Sequence, residues 1–184
     1  MNTKIYLDMD GVIADFFGGL EKRFEVLHWK EISNIERALD TIKGTNFFYK
    51  LDQFIDYDAD SSIKIYKSTE LVRFVKSLAG DDWGICSSPL RGDSYNSAYW
   101  KRRWLEDNRM MPVVQNCIFT SNKEKYAMDK VTGTPNILID DKKSNIMKWK
   151  AAGGVGIQYQ ANENDLFDYL LPEIEFQYNE LQKG

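Results

Sequence analysis

The stretch Ile5-Tyr6-Leu7-Asp8-Met9-Asp10-Gly11-Val12-Ile13-Ala14-Asp15 decides how the chain is read. Ile5 to Leu7 is a short apolar run with the character of a buried strand, and it breaks directly into two carboxylates one residue apart. Gly11 then permits a tight turn at backbone angles that a residue bearing a Cβ resists. In an open α/β sheet ligands gather at the carboxyl ends of the strands, where Asp8 and Asp10 fall. Two carboxylates held close repel each other, so either one is protonated or a cation lies between them. A hard, oxygen-seeking ion such as Mg2+ satisfies that arrangement. A calcium loop of the EF-hand type does not fit, because Val12 and Ile13 stand where that loop needs an oxygen ligand and a glycine.

Outward from this stretch, 184 residues suffice for one domain with a sizeable core and a small insertion. A 43% hydrophobic and 28% charged composition is that of an ordinary globular chain. The net charge of −4 provides no basic field for a nucleic acid polymer, so an anionic substrate needs a local positive site. No run approaches the roughly 18 apolar residues of a membrane span. The first residues lead straight into a strand with no signal-peptide pattern, and Cys86 and Cys117 lack disulfide-framework or metal-site spacing. Both are expected to be buried thiols, and the protein cytoplasmic.

Read in order, apolar residues from Phe16 to Ile42 fall at helical spacing, with Gly44 as a stop. The periodicity then blurs through Phe47-Phe48 and the acids Asp52, Asp56, Asp58 and Asp60. This is far more chain than a direct crossover between parallel strands needs, so 17–67 is expected to be a small helical cap inserted after the first strand. Residues 1–16 and 68–184 are then the α/β core domain. Within it the patterns predict a helix over 68–78, a strand at 83–86, a helix over 93–107 and a strand at 116–119. A short helix, a strand at 136–139, a helix over 144–152 and a strand at 155–157 follow, then two helices over 165–171 and 174–181. Alternating strands and helices argue a doubly wound parallel sheet, Rossmann-like in its winding.

Four of these strands end in polar groups: Asp8 and Asp10, then Ser87 and Ser88, then Lys123, then Asp140 and Asp141. Singly each reads blandly, as a turn, a helix start, a solvated lysine and a capping turn. In a parallel sheet all four meet on one edge, as carboxylates for a metal, hydroxyls for phosphate oxygens and a lysine for developing charge. That set suits phosphoryl transfer. His28 reads as a structural residue at a helix end, and Lys101-Arg102-Arg103 as a solvated helix face.

The arrangement resembles the haloacid dehalogenase superfamily of phosphatases, on Asp8-Met9-Asp10-Gly11-Val12, Ser87, Lys123 and Asp140-Asp141. It is similar more narrowly to the 5'(3')-deoxyribonucleotidases, through Asp8 to Phe16, Ile85-Cys86-Ser87-Ser88-Pro89-Leu90 and Leu138-Ile139-Asp140-Asp141-Lys142. That family usually has Thr where Ser87 stands, which keeps the hydroxyl. The resemblance implies the haloacid dehalogenase type of fold and Asp8 as a nucleophile that forms an aspartyl-phosphate. Asp10 would be the acid and then the base. Mg2+ would be held by Asp8, the Asp10 carbonyl and Asp141, with Asp140 close behind. Ser87 and Ser88 would hold phosphoryl oxygens, Lys123 would offset charge, and Phe16, Phe47 and Phe48 would enclose a nucleoside.

The expected partner is a small-molecule nucleoside monophosphate, with no nucleic acid polymer and no membrane, and a homodimer is the candidate assembly. A same-fold phosphatase for another small ester or a 3'-phosphate end is the alternative. A phosphoacceptor signalling domain is the alternative of a different class; there the accepting Asp sits on a later strand than the acidic pair.

Overall fold

A computed structural model describes residues 3–57 and 62–183, so Asp58 and Asp60 lie outside the described residues. In chain order the elements are β1 (Ile5–Leu7), α1 (Phe16–Phe24), α2 (Ile35–Ile42), β2 (Ile55–Tyr57), β3 (Lys64–Tyr66) and α3 (Lys67–Ala79). They continue as β4 (Trp83–Ser87), α4 (Ser94–Asp107), β5 (Cys117–Phe119), β6 (Ile137–Asp140), α5 (Lys143–Ala151), β7 (Val155–Gln158) and α6 (Leu171–Gln182).

The apolar run after the N-terminus becomes the central strand of a five-stranded parallel sheet ordered β5-β4-β1-β6-β7. Leu7 is in register with Ile85 on one side and Ile139 on the other. Every residue of β1, β4 and β6 is buried, as befits strands covered by helices on both faces. The chain winds outward from β1 to β4 and β5, then returns to lay β6 and β7 on the other side. The carboxyl end of β1 is therefore the place where the winding reverses, and a crevice opens there. This is a doubly wound α/β sheet.

The helices follow from their buried stripes. Leu71, Val72, Val75 and Ala79 face the sheet from α3, which ends where Gly80 turns to φ +59°. Ser68 in its first turn donates to the Ile13 carbonyl (2.7 Å) and accepts from the Phe54 N–H (3.0 Å), tying α3 to the turn after β1.

Residues between β1 and α3 depart from the periodicity. The helical spacing over Phe16–Ile42 belongs to two helices, because Glu25 takes a left-handed conformation at φ +54° and Asn34 caps a new start by accepting from the Arg37 N–H (2.9 Å). His28 is not at a helix end. Its Nδ1 accepts from the Lys30 N–H (3.1 Å), capping the short turn Trp29–Glu31. The blurred stretch contains a second short turn, Phe47–Lys50, and the antiparallel pair β2–β3. Ile42, Phe47, Phe48 and Leu51 join the same apolar core as Ile5, Leu7 and Ile139. The Trp104 indole N–H of α4 donates to the Leu51 carbonyl (2.7 Å), fastening this segment to the sheet domain.

At the C-terminus the two predicted helices run together. A π-helical turn over Leu166–Leu170 feeds directly into α6, and Pro172 lies in its first turn, where a missing N–H costs little. None of the described helices is long and apolar enough to cross a membrane.

Candidate active site

Beyond Leu7 the backbone is still held as if in the sheet, since the Asp8 N–H donates to the Ile139 carbonyl (2.9 Å). The chain then closes on itself: the N–H groups of Val12, Ile13 and Ala14 all donate to the Met9 carbonyl. Gly11 sits in this turn at φ +80°, and a Cβ there would lie 2.7 Å from an oxygen of Asp141. Both the backbone angle and the close approach require glycine. The turn delivers Asp8 and Asp10 to the crevice from β1, while β4 delivers Ser87, β6 delivers Asp140, and the loop after β5 delivers Lys123. The four strand-end groups therefore meet on one edge.

Two buried ammonium groups organise the acids. Lys123, 2% exposed, lies 2.6 Å from Asp140 Oδ2 and 3.0 Å from Asp8 Oδ1. Burial alone would lower its pKa, but the two carboxylates outweigh that and raise it, so it is a fixed cation. Asp140 is saturated: besides Lys123 it accepts from the Lys142 N–H (2.8 Å) and from the Asn145 amide (3.0 and 3.1 Å). The second ammonium belongs to Lys101, read from the sequence as part of a solvated face. It is completely buried and donates to Asp10 Oδ2 (2.7 Å), the Ser88 carbonyl (2.8 Å) and Ser87 Oγ (3.1 Å). Arg102 and Arg103 beside it are exposed as expected. The readable signal was the stripe Ser97, Lys101, Trp104 and Leu105, which shares one helical face and is buried as a unit.

Asp141 differs from Asp140. Its carboxylate accepts no hydrogen bond from the described residues, and with Asp8 and Asp140 it offers oxygens that all lie within 4.8 Å of one another. Burial, then the charges of Asp8, Asp140 and Asp10, push the Asp141 carboxyl up to about 8. Among the described residues, the ion pairs of this acid cluster are those of Asp10 with Lys101 and of Asp8 and Asp140 with Lys123. The same crowding of carboxylates that raises Asp141 is relieved by a cation bound between them as well as by a proton. The donor set thus fits a hard cation, with Asp141 and Asp8 as its side-chain ligands and Asp140 reserved for Lys123.

The Asp141 shift carries a stability consequence. Its folded pKa lies far above the unfolded value of about 4, so the metal-free folded state binds the extra proton and loses stability as pH rises between the two. Asp141→Asn should therefore raise the melting temperature in EDTA by about 3–8 °C at pH 8 and by little at pH 5. Equal shifts at both pH values would contradict the assignment.

Above the acids lies a cleft of about 510 Å³, in the range of small-molecule sites. Asp8, Asp10 and Asp141 form its floor, and Phe16, Phe17, Leu39 and Phe48 its apolar wall. Ser88 reaches the cleft, as do the exposed cations Arg91, Lys142 and Lys148. Ser87 is fully buried beneath it. Of the three phenylalanines expected to enclose a ligand, Phe16 and Phe48 line the cleft and stack at 6.0 Å, while Phe47 backs Phe16 edge-on at 5.7 Å and faces a different cavity. Phe17 and the three cations were not read from the sequence. Both cysteines are free and buried, and burial pushes the Cys86 thiol up to about 12, so neither is a nucleophile.

No family model matches the chain. Curated proteins that do match include the human mitochondrial 5'(3')-deoxyribonucleotidase, 24% identical over 160 residues, and the mouse enzyme of that name, 25% over 155. Each match covers 76% of this chain but only 62% and 64% of those proteins, under two thirds of their length. Among solved structures, a HAD family hydrolase from Deinococcus radiodurans R1 with bound phosphate and sodium superposes with a TM-score of 0.52. It is 14% identical, and the match covers 97% of this chain and 87% of that one. The chain has the haloacid dehalogenase fold and is similar in sequence to the 5'(3')-deoxyribonucleotidases.

Proposed function

We propose that the protein is a Mg2+-dependent phosphatase that hydrolyses nucleoside monophosphates, deoxyribonucleotides among them, through a phosphoryl group carried on Asp8. The observation that carries this reading is the pairing at the end of β1. Asp8 is held against the fixed cation Lys123, and Asp10 stands two residues on with one carboxylate oxygen anchored and the other without a hydrogen-bond partner among the described residues. The relatives' names, the phosphate in the Deinococcus structure and the aromatic wall of the cleft support it.

In the first step an Asp8 oxygen forms a bond to phosphorus as the bond from phosphorus to the nucleoside oxygen breaks. Asp10, protonated, gives its proton to that leaving oxygen. Burial raises the Asp10 pKa, which favours the acid form. In the second step water attacks phosphorus, its proton passes to Asp10, and the Asp8 carboxylate leaves with release of inorganic phosphate. Lys123 offsets charge on Asp8 and the phosphoryl oxygens throughout, and Ser88 and the loop N–H groups receive those oxygens. Asp8, Asp141 and the Asp10 carbonyl would hold Mg2+, which supplies Lewis-acid stabilisation of phosphoryl charge when bound. Residues 17–67 act as a cap, with Phe16 and Phe48 excluding water around the nucleoside.

Phosphate release with Mg2+ across ribo- and deoxyribonucleoside 5'- and 3'-monophosphates and several sugar phosphates tests the substrate assignment. The reading predicts turnover of nucleotides, strongest for deoxyribonucleotides and lost in EDTA. Turnover confined to sugar phosphates would overturn it.

A further inference from the structure

Lys101 is the buried group that the proposed reaction has not used. It projects from α4, a helix that contributes no other side chain to the acid cluster, and is 0% exposed. A lysine ammonium has three N–H donors, and Lys101 has three acceptors: Asp10 Oδ2, Ser87 Oγ and the Ser88 carbonyl. The Phe48 ring also lies beside the ammonium, with its centroid 4.8 Å away. No donor remains for a substrate oxygen. Lys123, by contrast, faces two carboxylate oxygens and retains an N–H for a phosphoryl group.

Asp10 is divided in the same way. Its Oδ2 is held by Lys101, whereas Oδ1 is buried and has no partner among the described residues. The terminal torsion of an aspartate is broad and two-fold, so an unheld carboxylate exchanges its oxygens freely. We propose that Lys101 is the positioning residue of Asp10: it pins one carboxylate oxygen to the phosphate-binding loop of β4 and thereby presents the other to the leaving group. The same ammonium joins three parts of the site, since Asp10 follows β1, Ser87 and Ser88 close β4, and Phe48 comes from the segment over the cleft.

This inference rests on the phosphatase reading, and leaving-group chemistry separates the two. When the ester bond breaks, a nucleoside oxygen needs the Asp10 proton, whereas nitrophenolate departs from p-nitrophenyl phosphate without one. The ratio kcat/KM reports steps through the first irreversible one, here transfer of the phosphoryl group to Asp8 with loss of the alcohol. Lys101→Met should lower kcat/KM for a deoxyribonucleoside monophosphate by about 10²-fold. For p-nitrophenyl phosphate the loss should be no more than about threefold, because acid assistance is not needed there. A loss of equal size on both esters would mean that Lys101 merely supports the fold, and would overturn the inference while leaving the phosphatase reading standing. Absence of turnover of either ester by the unsubstituted protein would overturn the phosphatase reading itself. Should Lys101→Met fail to fold by its melting curve, Lys101→Gln, which keeps an N–H donor and removes the charge, is read against the same ratio.

Discussion

Asp8→Asn is expected to abolish phosphate release, by about 10⁴-fold or more, while the protein folds normally. The amide is nearly isosteric and can still accept from the Met9 N–H, which donates to Asp8 Oδ1 at 2.8 Å. Its loss of charge is tolerated because Lys123 keeps Asp140 at 2.6 Å as an ionic partner. It also thins the crowd of carboxylates that raises Asp141, so the metal-free melting temperature should stay level or rise. An amide lacks the negative charge needed to attack phosphorus at a useful rate. Retained turnover, measured beside a melting curve that proves the fold intact, would remove Asp8 from the nucleophile's place.

Lys123→Met should damage both the fold and the chemistry. Methionine fills much of the same volume, but it leaves Asp8 and Asp140 without their shared cation in a buried site. Removing one partner of a buried ion pair costs about 3–5 kcal/mol. For a chain of this size that corresponds to a melting temperature lower by roughly 6–20 °C. Asp140, whose carboxyl is already pushed up by burial, can escape by taking up a proton, so the deficit should shrink as pH falls. Turnover should fall a further ~10²–10³-fold among molecules that remain folded, the usual cost of losing one donor aimed at developing charge. A variant with wild-type denaturation midpoint and kcat would contradict the electrostatic role given to Lys123.

Much of this site was legible because strand ends are punctuated in sequence. An apolar run of three or four residues broken by Asp8, Ser87 or Asp140 announces both a buried strand and the group at its tip. A parallel sheet then brings those tips together without further information. What periodicity could not give was the conformation of 17–66. There the helical spacing continues across Glu25 and Asn34, and a single left-handed residue plus one cap is enough to split the helix. Lys101 was hidden for a different reason. Next to Arg102 and Arg103 it looks like surface, and only the burial of Ser97, Trp104 and Leu105 on the same stripe reveals that its charge points inward. The resemblance already favoured Asp141 over Asp140 as the metal ligand, but the physical reason lies in the structure, since adjacent identical residues are distinguished only by what they touch. Asp140 is filled by Lys123, Lys142 and Asn145, and Asp141 has no such partner among the described residues.

The most direct test of the account is to trap the phosphoryl group. Asp10→Asn protein, incubated with Mg2+ and p-nitrophenyl phosphate, keeps the nucleophile and has a substrate that needs no acid. Without the base that activates water, the phosphoenzyme should persist. Intact-mass measurement should then show one added phosphoryl group per chain, and peptide mapping should place it on Asp8. An adduct on any other residue, or continued hydrolysis with no adduct, would contradict the claim that this crevice works through Asp8.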